Sequence, residues 1–564
     1  MDSDNKKRAY RRLENVEDAD DFVSLLERSK LTKNLDKEHP YCVFSMALSD
    51  EENGFLNRSS LGLNIADFRR GAEEVDMPLV LVVPFYNWIS TAKIDKTDIS
   101  FNHQEVNLEK YGFRLMDSLL LKAERDNIEI SLLEKKIGST TIVVLQDANF
   151  GEFDTSSVEQ GLYQAVVLGF GGYAGLKFSG LKPSVMQLTD SSSCFAGLAR
   201  LDELVSDGMN FYEAMVYTRK HTVLVTNSAI DDSQYTRQQL MRYVLPNLKS
   251  DEVKTWLLRN FQDEGFNLRV LAKELSELKI TSQVELTRES KIWHQLNSGV
   301  DLKYWSSKEA LELLKRDILD DFNLRADDAS EKINELTSEQ VKEIKTKCRT
   351  RLNKCLNDYV DQNGKPIAMA NDALIATLPA CMEQGDGLEL IFSDPERLSD
   401  VLNMHNAHLL ISGQIRQNDQ ENLGVFRDAL KIIDDNPTLK RRVHYVVDED
   451  EELVKNLLSG SNVCINLSTV ANNNLNWMRA ICNFDILVAM SDGDMIDAHD
   501  DACLVVVGDS TEERAESFYA QFDVALMACK NDFDIEYWVH HGLDEFIGVI
   551  SATRMVKDYL KCIF

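Results

Sequence analysis

The chain has 564 residues, a formal net charge of −31 at pH 7 and a sequence pI of about 4.8. This length exceeds one ordinary hydrophobic core and predicts more than one domain. So acidic a protein gains nothing from the counterion release that drives binding to nucleic acids, and anionic membranes repel it, so we expect neither as a partner.

The first predicted elements are short apolar runs, which are typical of buried strands in a parallel sheet. Each run is followed by polar sequence that can form a helix. In chain order these runs are Tyr41–Met46, Leu79–Val83, Thr140–Leu145, Val185–Leu188 and His221–Thr226.

The segment over residues 250–360 is rich in Leu, Glu and Lys at helical spacing, and it predicts a helical region attached to the first half. The alternation of apolar runs and helix-capable sequence then restarts after Pro366, which predicts a second α/β half. Its predicted strands are Leu388–Phe392, His408–Ser412, Arg442–Val447, Asn462–Asn466, Phe484–Met490 and Leu504–Gly508.

The N-terminus has no apolar signal core, and the longest apolar stretch, around Met77–Tyr86, is far shorter than the roughly 18 residues of a membrane helix. We therefore expect a cytoplasmic protein without membrane contact. The 10 cysteines include no CxxC pair, so we expect buried, reduced thiols and no metal site.

Short motifs at the predicted strand ends resemble those of the α-glucan phosphorylase family, in the family's order and spacing. In the first half they are Phe44-Ser-Met46, the loop-like Ser59-Ser-Leu-Gly62, Gly169–Ala174 at the family's glycine-rich turn, Lys182-Pro-Ser-Val185, Gln187-Leu-Thr-Asp190 and Val225-Thr-Asn227. In the second half they are Ser393–Leu398, Ile411-Ser-Gly413, Ser491-Asp-Gly493 and the terminal Ala552–Tyr559. The chain is most similar to the compact bacterial and archaeal type.

The resemblance implies the GT-B fold, an α/β architecture of two Rossmann-like, doubly wound domains that face one another across a cleft. The regions it implies are an N-terminal helical, polar lead over residues 1–39, a Rossmann-like domain over 40–249, the helical region over 250–360, a second Rossmann-like domain over 361–545, and a C-terminal helix over 546–564 that packs back on the first domain. In such domains ligands bind beyond the carboxyl ends of the strands.

The family holds pyridoxal phosphate as a Schiff base on a lysine, and Trp477-Met-Arg-Ala480 stands at that lysine's motif. A Schiff base needs an amine that can lose its proton, whereas the guanidinium of Arg479 stays charged. The sequence therefore predicts that pyridoxal phosphate is absent. Arg479 could still hold an anion.

Other positions that the family uses in its cleft are also replaced. The family's histidines are Ser192 and Ser228, two loop glycines are Ser59 and Ser60, and a signature lysine is Gln414. The family's arginine-rich segment reads Ala380–Gly387 here without a cation, and the acidic loop residue is missing from Ala471–Leu475. The cleft positions implied by the resemblance are Ser59, Ser60, Gly62, Asp190, Ser192, Asn227, Ser228, Gly413, Gln414, Arg416, Arg479 and Asp492, and no catalytic residue is assigned among them.

Two functions follow from this pattern. The first is a non-phosphorolytic descendant that acts as a carbohydrate-related binding, regulatory or interaction protein, with a sugar, a sugar phosphate, another protein or a second copy as its partner. The alternative is a glycosyltransferase independent of pyridoxal phosphate, in which Arg479 or Arg416 holds the phosphate of a nucleotide sugar near Asp190. An active α-glucan phosphorylase ranks last.

Overall fold

The computed structural model describes the greater part of the chain. The described residues are 35–56, 59–123, 127–151, 158–227, 234–260, 265–314, 326–379, 387–413, 415, 417, 419–446, 450–468, 474–491 and 501–564. They form two compact units. The first unit holds described residues 35–89, 104–296 and 555–564, and the second holds 90–103 and 297–554. The predicted domain limits stay a prediction.

The first unit is built on a nine-stranded mixed sheet. Across the sheet the strands are His294–Gln295, Leu278–Thr281, Thr222–Val225, Val185–Thr189, Tyr41–Phe44, Leu79–Phe85, Thr140–Gln146, Asn127–Ile137 and Arg114–Lys122. Asn127–Ile137 pairs antiparallel with both of its neighbours, Thr140–Gln146 and Arg114–Lys122, and the other neighbouring strands pair in parallel. The seven strands from Thr140–Gln146 to His294–Gln295 can be numbered by their order along the chain. Read across the sheet from Thr140–Gln146, they lie in the order 3-2-1-4-5-6-7. The order therefore reverses between Tyr41–Phe44 and Val185–Thr189, as in a doubly wound sheet.

The five strands predicted for the first half are confirmed as strands, with small differences at their ends. The strands Asn127–Ile137 and Arg114–Lys122 were not predicted. The strand Leu278–Thr281 falls within the segment predicted to be helical. It was not predicted because only two of its four residues are buried and its sequence lacks a clear apolar run. The helices of this unit are Ser60–Glu74, Val158–Val166, Gly172–Phe178, Phe195–Ser206, Phe211–Lys220, Arg237–Tyr243, Asp251–Asn260, Leu268–Leu275 and Val284–Glu289.

The glycine-rich segment Gly169–Ala174 is helical, so the turn suggested by the resemblance is wrong for this chain. Val167–Gly171 forms a π-helical turn that leads into the helix Gly172–Phe178. A Cβ on Gly169 would lie 2.3 Å from the Cβ of Phe195. The glycine therefore allows two helices to approach closely, which is a packing role.

The second unit is built on a six-stranded parallel sheet. Across the sheet the strands are Val443–Val446, Ala407–Ser412, Leu374–Pro379, Val463–Asn466, Ile486–Met490 and Leu504–Val506. Numbered along the chain they lie in the order 3-2-1-4-5-6, which is the Rossmann order. The switch point lies between Leu374–Pro379 and Val463–Asn466.

One predicted strand of the second half, Leu388–Phe392, is wrong, because Leu388–Ile391 is a short helix and the first strand is Leu374–Pro379. A short apolar run does not distinguish a buried strand from a buried helical turn. The helices of this unit are Leu302–Trp305, Lys308–Leu314, Ala326–Asn334, Ser338–Cys355, Leu388–Ile391, Pro395–Met404, Gln420–Asp435, Leu439–Arg442, Glu451–Gly460, Asn476–Ile481, Thr511–Ala528 and Asp532–Phe546.

Three two-stranded sheets complete the described strands, and the first and last of them are antiparallel. They are Ser49–Asp50 with Phe55–Leu56, Trp88–Asp95 with Asp98–Glu105, and Gln234–Tyr235 with Phe266–Asn267. The last helix of the chain is Ala552–Ile563. Within the first unit, the ring of Tyr559 on this helix lies 5.9 Å from the ring of Phe68.

Helices pack on the two sheets through apolar stripes at helical spacing. In Leu268–Leu275 the buried residues are Leu268, Leu271, Ala272 and Leu275, which follow one another at intervals of three, one and three residues and so lie on one face. Each unit thereby has its own apolar core. The fold is α/β with one mixed and one parallel sheet, both with Rossmann-like strand order.

The described cysteines are reduced, and most of them are buried. Burial raises the pKa of Cys482 and that of Cys529 to about 12. Cys562 is exposed near the end of the last helix.

Across the described ranges, no helix combines the length and the apolarity that crossing a membrane requires. In the same ranges, no group of three or more His, Cys, Asp or Glu side chains is placed to hold a metal ion.

Candidate functional site

Asp190 lies at the switch point of the first sheet, directly after the strand Val185–Thr189. Its Oδ1 accepts a hydrogen bond of 2.7 Å from the hydroxyl of Thr226, and its backbone N–H donates to the carbonyl of Val225. Its φ of 58° and ψ of 174° lie in a region that side-chain-bearing residues rarely adopt. The hydrogen bonds with Thr226 and Val225 hold Asp190 in this conformation.

Asn227 follows the neighbouring strand and connects its end to the next strand along the sheet. Its side-chain oxygen accepts hydrogen bonds from the backbone N–H of Ser282 at 3.3 Å and from the Ser282 hydroxyl at 3.2 Å. Its carbonyl accepts from the side-chain amide of Gln283 at 2.9 Å. Asp190 and Asn227 thus follow the ends of two adjacent strands. Ser282 and Gln283 were missed because they follow a strand that was not predicted.

Ser192 lies in the short 3-10 turn Ser191–Ser193 and is half-buried. The hydroxyl of the neighbouring Ser193 donates to the carbonyls of Thr189 and Asp190, at 3.0 and 2.9 Å. This turn therefore closes the end of the strand. Ser192 is close in sequence to Asp190, and its neighbour supports the backbone of that residue.

Ser59, Ser60 and Gly62 begin a helix, so the open loop expected for them is wrong. Ser59 is the N-cap of the helix Ser60–Glu74, and its hydroxyl accepts a hydrogen bond of 3.1 Å from the backbone N–H of Gly62. Serine is a favoured N-cap because its hydroxyl satisfies an otherwise unpaired amide of the first turn. Ser59 and Ser60 are both buried.

Arg479 lies near the switch point of the second sheet, on the short helix Asn476–Ile481. Only 1% of its surface is exposed. Its Nη1 donates a hydrogen bond of 2.7 Å to the side-chain oxygen of Asn476, and its guanidinium carbon lies 4.5 Å from the centre of the Trp305 ring. A planar guanidinium over an indole face gains cation–π attraction, which is stronger when water is excluded.

Amide side chains anchor this helix to the end of the first strand of the sheet. The side-chain amide of Asn476 donates to the carbonyl of Pro379 at 2.6 Å, and that of Asn474 donates to the same carbonyl at 3.4 Å. Asn483 donates to the carbonyls of Arg479 and Trp305, both at 2.9 Å. These contacts fix the position of the guanidinium. Trp305 was not predicted, because nothing in its local sequence marks it as the neighbour of Arg479.

Gly413 follows the strand Ala407–Ser412 with a φ of 154°, and its carbonyl accepts a hydrogen bond from the hydroxyl of Tyr445. Several other predicted positions lie outside the described residues. They are Ser228, Gln414, Arg416, Asp492, residues 380–386 and residues 471–473. Their predicted places in a site stay predictions.

A second cluster of charges lies at the opposite, amino ends of the strands of the second sheet. Lys345 Nζ lies 2.5 Å from Asp485 Oδ1, and both side chains are buried. Arg349, one helical turn further along Ser338–Cys355, donates to the carbonyl of Gly460 at 2.8 Å and to the side-chain oxygen of Asn462 at 2.5 Å. Burial raises the pKa of Asp485 to about 7, although Lys345 opposes that shift.

This cluster joins a helix to the beginnings of strands, which is a structural role. Doubly wound sheets bind their ligands at the carboxyl ends, so the amino-end cluster is not part of the candidate site. Its members were missed because Lys345 and Asp485 are 140 residues apart. The spacing of Lys345 and Arg349 on one helix face was the signal available in the sequence.

The fold is that of a Rossmann-like α/β protein, and it is consistent with the folds of glycosyltransferases and phosphorylases. No protein-family model matches the chain. The maltodextrin phosphorylase of Thermococcus litoralis is 19% identical over 97% of this chain and 75% of its own length. The glycogen phosphorylase of Aquifex aeolicus is 23% identical over 71% of this chain, which spans 65% of the length of that relative. These distant similarities support a phosphorylase-like protein at the level of the family.

Proposed function

We propose that this protein is a phosphorylase-like protein that does not perform phosphorolysis with pyridoxal phosphate and that acts as a carbohydrate-related binding, regulatory or interaction protein. The carbohydrate class rests on the two relatives, which are named as phosphorylases of maltodextrin and of glycogen. The GT-B arrangement of two Rossmann-like domains and a cytoplasmic location belong to the same proposal.

The observation that carries the proposal is the environment of Arg479. Its guanidinium is buried, is bonded to Asn476 and lies over the face of Trp305. These contacts suit a planar, permanently charged group. A guanidinium cannot form a Schiff base, because that bond requires a neutral amine.

The surrounding sequence offers no substitute for the missing amine. No lysine stands between Lys455 and Lys530. The family's lysine motif could therefore be matched several residues earlier or later in the chain, and there would still be no lysine on this helix. On this proposal the residues around Arg479 do not fit pyridoxal phosphate, and no step of a reaction is assigned to that group.

An activity assay tests the loss of phosphorolysis. The purified protein is incubated with maltodextrin, inorganic phosphate and added pyridoxal phosphate, and release of glucose 1-phosphate is measured beside an authentic maltodextrin phosphorylase. We expect no release above background and no cofactor absorbance band in the protein as purified. Release that depends on added pyridoxal phosphate would overturn the proposal.

A binding measurement tests the carbohydrate part. We expect isothermal titration calorimetry to detect saturable binding of maltodextrin, and we expect Asn227→Ala to weaken it, because this change loosens the joined strand ends beside Asp190. The control is Asn260→Ala, whose side chain is exposed at the end of the helix Asp251–Asn260. Absence of any oligosaccharide binding would contradict the carbohydrate assignment and leave a purely protein-binding role.

The strand order favours one alternative, a glycosyltransferase that uses a nucleotide sugar. Doubly wound sheets bind nucleotides at their switch points, and both sheets have such a point. A thermal-shift panel of nucleotide sugars separates the two functions, since a ligand that binds the folded state raises its melting temperature. Stabilisation by one nucleotide sugar, followed by transfer of its sugar to maltodextrin, would establish the alternative in place of our proposal.

A further inference from the structure

A cavity of about 800 Å³ lies in the first unit, at the amino ends of its central strands. Its lining includes Ser184, which directly precedes the strand Val185–Thr189, and His221, which directly precedes Thr222–Val225. Asp190 and Asn227 follow the carboxyl ends of these same strands. The cavity is therefore separate from the candidate site described above, and its volume is within the range of small-molecule sites.

A buried arginine lines this cavity. Arg200, on the helix Phe195–Ser206, is 3% exposed, and its Nη1 donates a hydrogen bond of 3.0 Å to the carbonyl of His221. The phenol of Tyr173 also interacts with the guanidinium. Both partners are neutral. In the described parts of the chain no carboxylate forms an ion pair with Arg200.

Among the described residues three carboxylates line the cavity, and none of them pairs with Arg200, which leaves the guanidinium with its neutral partners. Glu203 lines the same cavity one helical turn away, but it accepts a hydrogen bond of 2.6 Å from the hydroxyl of Tyr173 and pairs with Lys177. Asp36 is likewise engaged by His39, and Asp207 is exposed to solvent. A buried guanidinium that is bonded to neutral acceptors alone retains a strong preference for an anion.

The rest of the lining combines apolar and aromatic side chains with exposed charges of both signs. The apolar and aromatic members are Tyr173, Leu176, Leu181, Pro183, Leu204 and Tyr217. Lys177 and Lys182 are exposed and add positive charge, while Asp36 and Asp207 are exposed and add negative charge. Sites with an apolar wall and one well-placed charge bind small molecules that have an apolar body and an oppositely charged group.

We propose that this cavity binds a small organic anion, whose carboxylate or phosphate pairs with Arg200 and whose aromatic or aliphatic body packs on the apolar wall. The guanidinium presents parallel N–H donors, which match the paired oxygens of either group. The site is independent of the proposed function, because it lies at the other end of the strands.

Calorimetric titration of the full-length protein with four probes tests the two features separately. The probes are phenyl phosphate, benzoate, inorganic phosphate and benzyl alcohol. We expect at least one of the aromatic anions to bind about tenfold more tightly than inorganic phosphate, which lacks the apolar body, and than benzyl alcohol, which lacks the charge. The tighter of the two aromatic anions identifies the anionic group that the site prefers.

Variants then locate the binding. We expect Arg200→Met to abolish it and Lys182→Glu to weaken it by about tenfold, because the reversed charge repels the anion. Lys136→Glu is the control, since Lys136 is exposed on the strand Asn127–Ile137 and does not line the cavity. If Arg200→Met does not fold, as judged by circular dichroism, the comparison of Lys182→Glu with Lys136→Glu decides.

Three results would overturn the proposal. They are failure of both aromatic anions to bind, equal binding of benzyl alcohol, and binding that is unchanged in folded Arg200→Met or in Lys182→Glu.

A further measurement uses His221, whose pKa is lowered by burial and, to a smaller extent, by Arg200. A bound anion should raise this pKa, which NMR titration of the imidazole detects; an unchanged pKa with a bound aromatic anion would also contradict the site.

Discussion

The two sheets have the same strand order at their switch points but different side chains there. In the first sheet, Asp190 is held in a strained conformation by Thr226 and the adjacent strand. In the second sheet, Arg479 is held by Asn476 and lies over Trp305. Strand order therefore fixes where a strand end is available for a binding site, while a few side chains decide the charge of that site.

The largest expected effect concerns the second sheet, at the amino ends of its strands. Lys345→Met removes the partner of buried Asp485, and breaking a buried ion pair costs about 3–5 kcal/mol. Burial raises the pKa of Asp485 to about 7, well above its unfolded value, so the folded state binds the extra proton and stability falls as the pH rises toward 7. The cost of Lys345→Met should therefore be larger at pH 8 than at pH 5.

Urea unfolding at these two pH values measures this difference. Lys347→Met is the control, because Lys347 is exposed on the same helix and pairs with Glu343. We expect no measurable change for the control. An equal loss of stability at both pH values for Lys345→Met would show that the charge of Asp485 does not depend on its partner in this range.

A smaller effect is expected at Asp190 in the first sheet. Both Asp190→Ala and Asp190→Gly lose the hydrogen bond from Thr226, but only glycine relieves the strain at a φ of 58°. Asp190→Gly should therefore be more stable than Asp190→Ala by about 1–3 kcal/mol in urea unfolding. Asp207, which has an ordinary φ of −82°, serves as the control and should show no advantage of glycine. Equal stability of the two Asp190 variants would mean that the backbone there relaxes freely.

The smallest effect is expected for Arg479→Lys in the second sheet. Lysine keeps the charge but loses the planar face that lies over Trp305 and the directed bond to Asn476. We expect a loss of about 1–2 kcal/mol in the free energy of unfolding, with a change in tryptophan fluorescence. Arg427→Lys, at an exposed position of Gln420–Asp435, should leave both unchanged. If Arg479→Lys also leaves both unchanged, the stacking contributes little.

The sequence was sufficient to predict both α/β halves, since central strands buried on two faces read as continuous apolar runs. It was insufficient where the same kind of run forms a helical turn, as at Leu388–Ile391. There Gly387 has a φ of 81°, and a Cβ at that residue would lie 2.4 Å from the Cβ of Leu467. That tertiary contact shapes the turn and leaves no local pattern.

The candidate site could be predicted only in part. The resemblance placed Asp190 and Asn227 after strand ends, and in the structure they follow two adjacent strands. The contact between Arg479 and Trp305 could not be predicted, because it depends on how a helix more than a hundred residues earlier packs on the second sheet. Ser59 and Ser60 were expected in a loop, since the capping role of a serine is visible only when the first helical turn is known.

The burial of the cysteines has a practical consequence. Thiolates react with alkylating reagents and thiols do not, so the raised pKa values of Cys482 and Cys529 keep these groups inert at neutral pH. Cys562 is an exposed residue on the helix Ala552–Ile563. Among the described cysteines it is therefore the natural point at which to attach a fluorophore or a surface tether without changing the sequence.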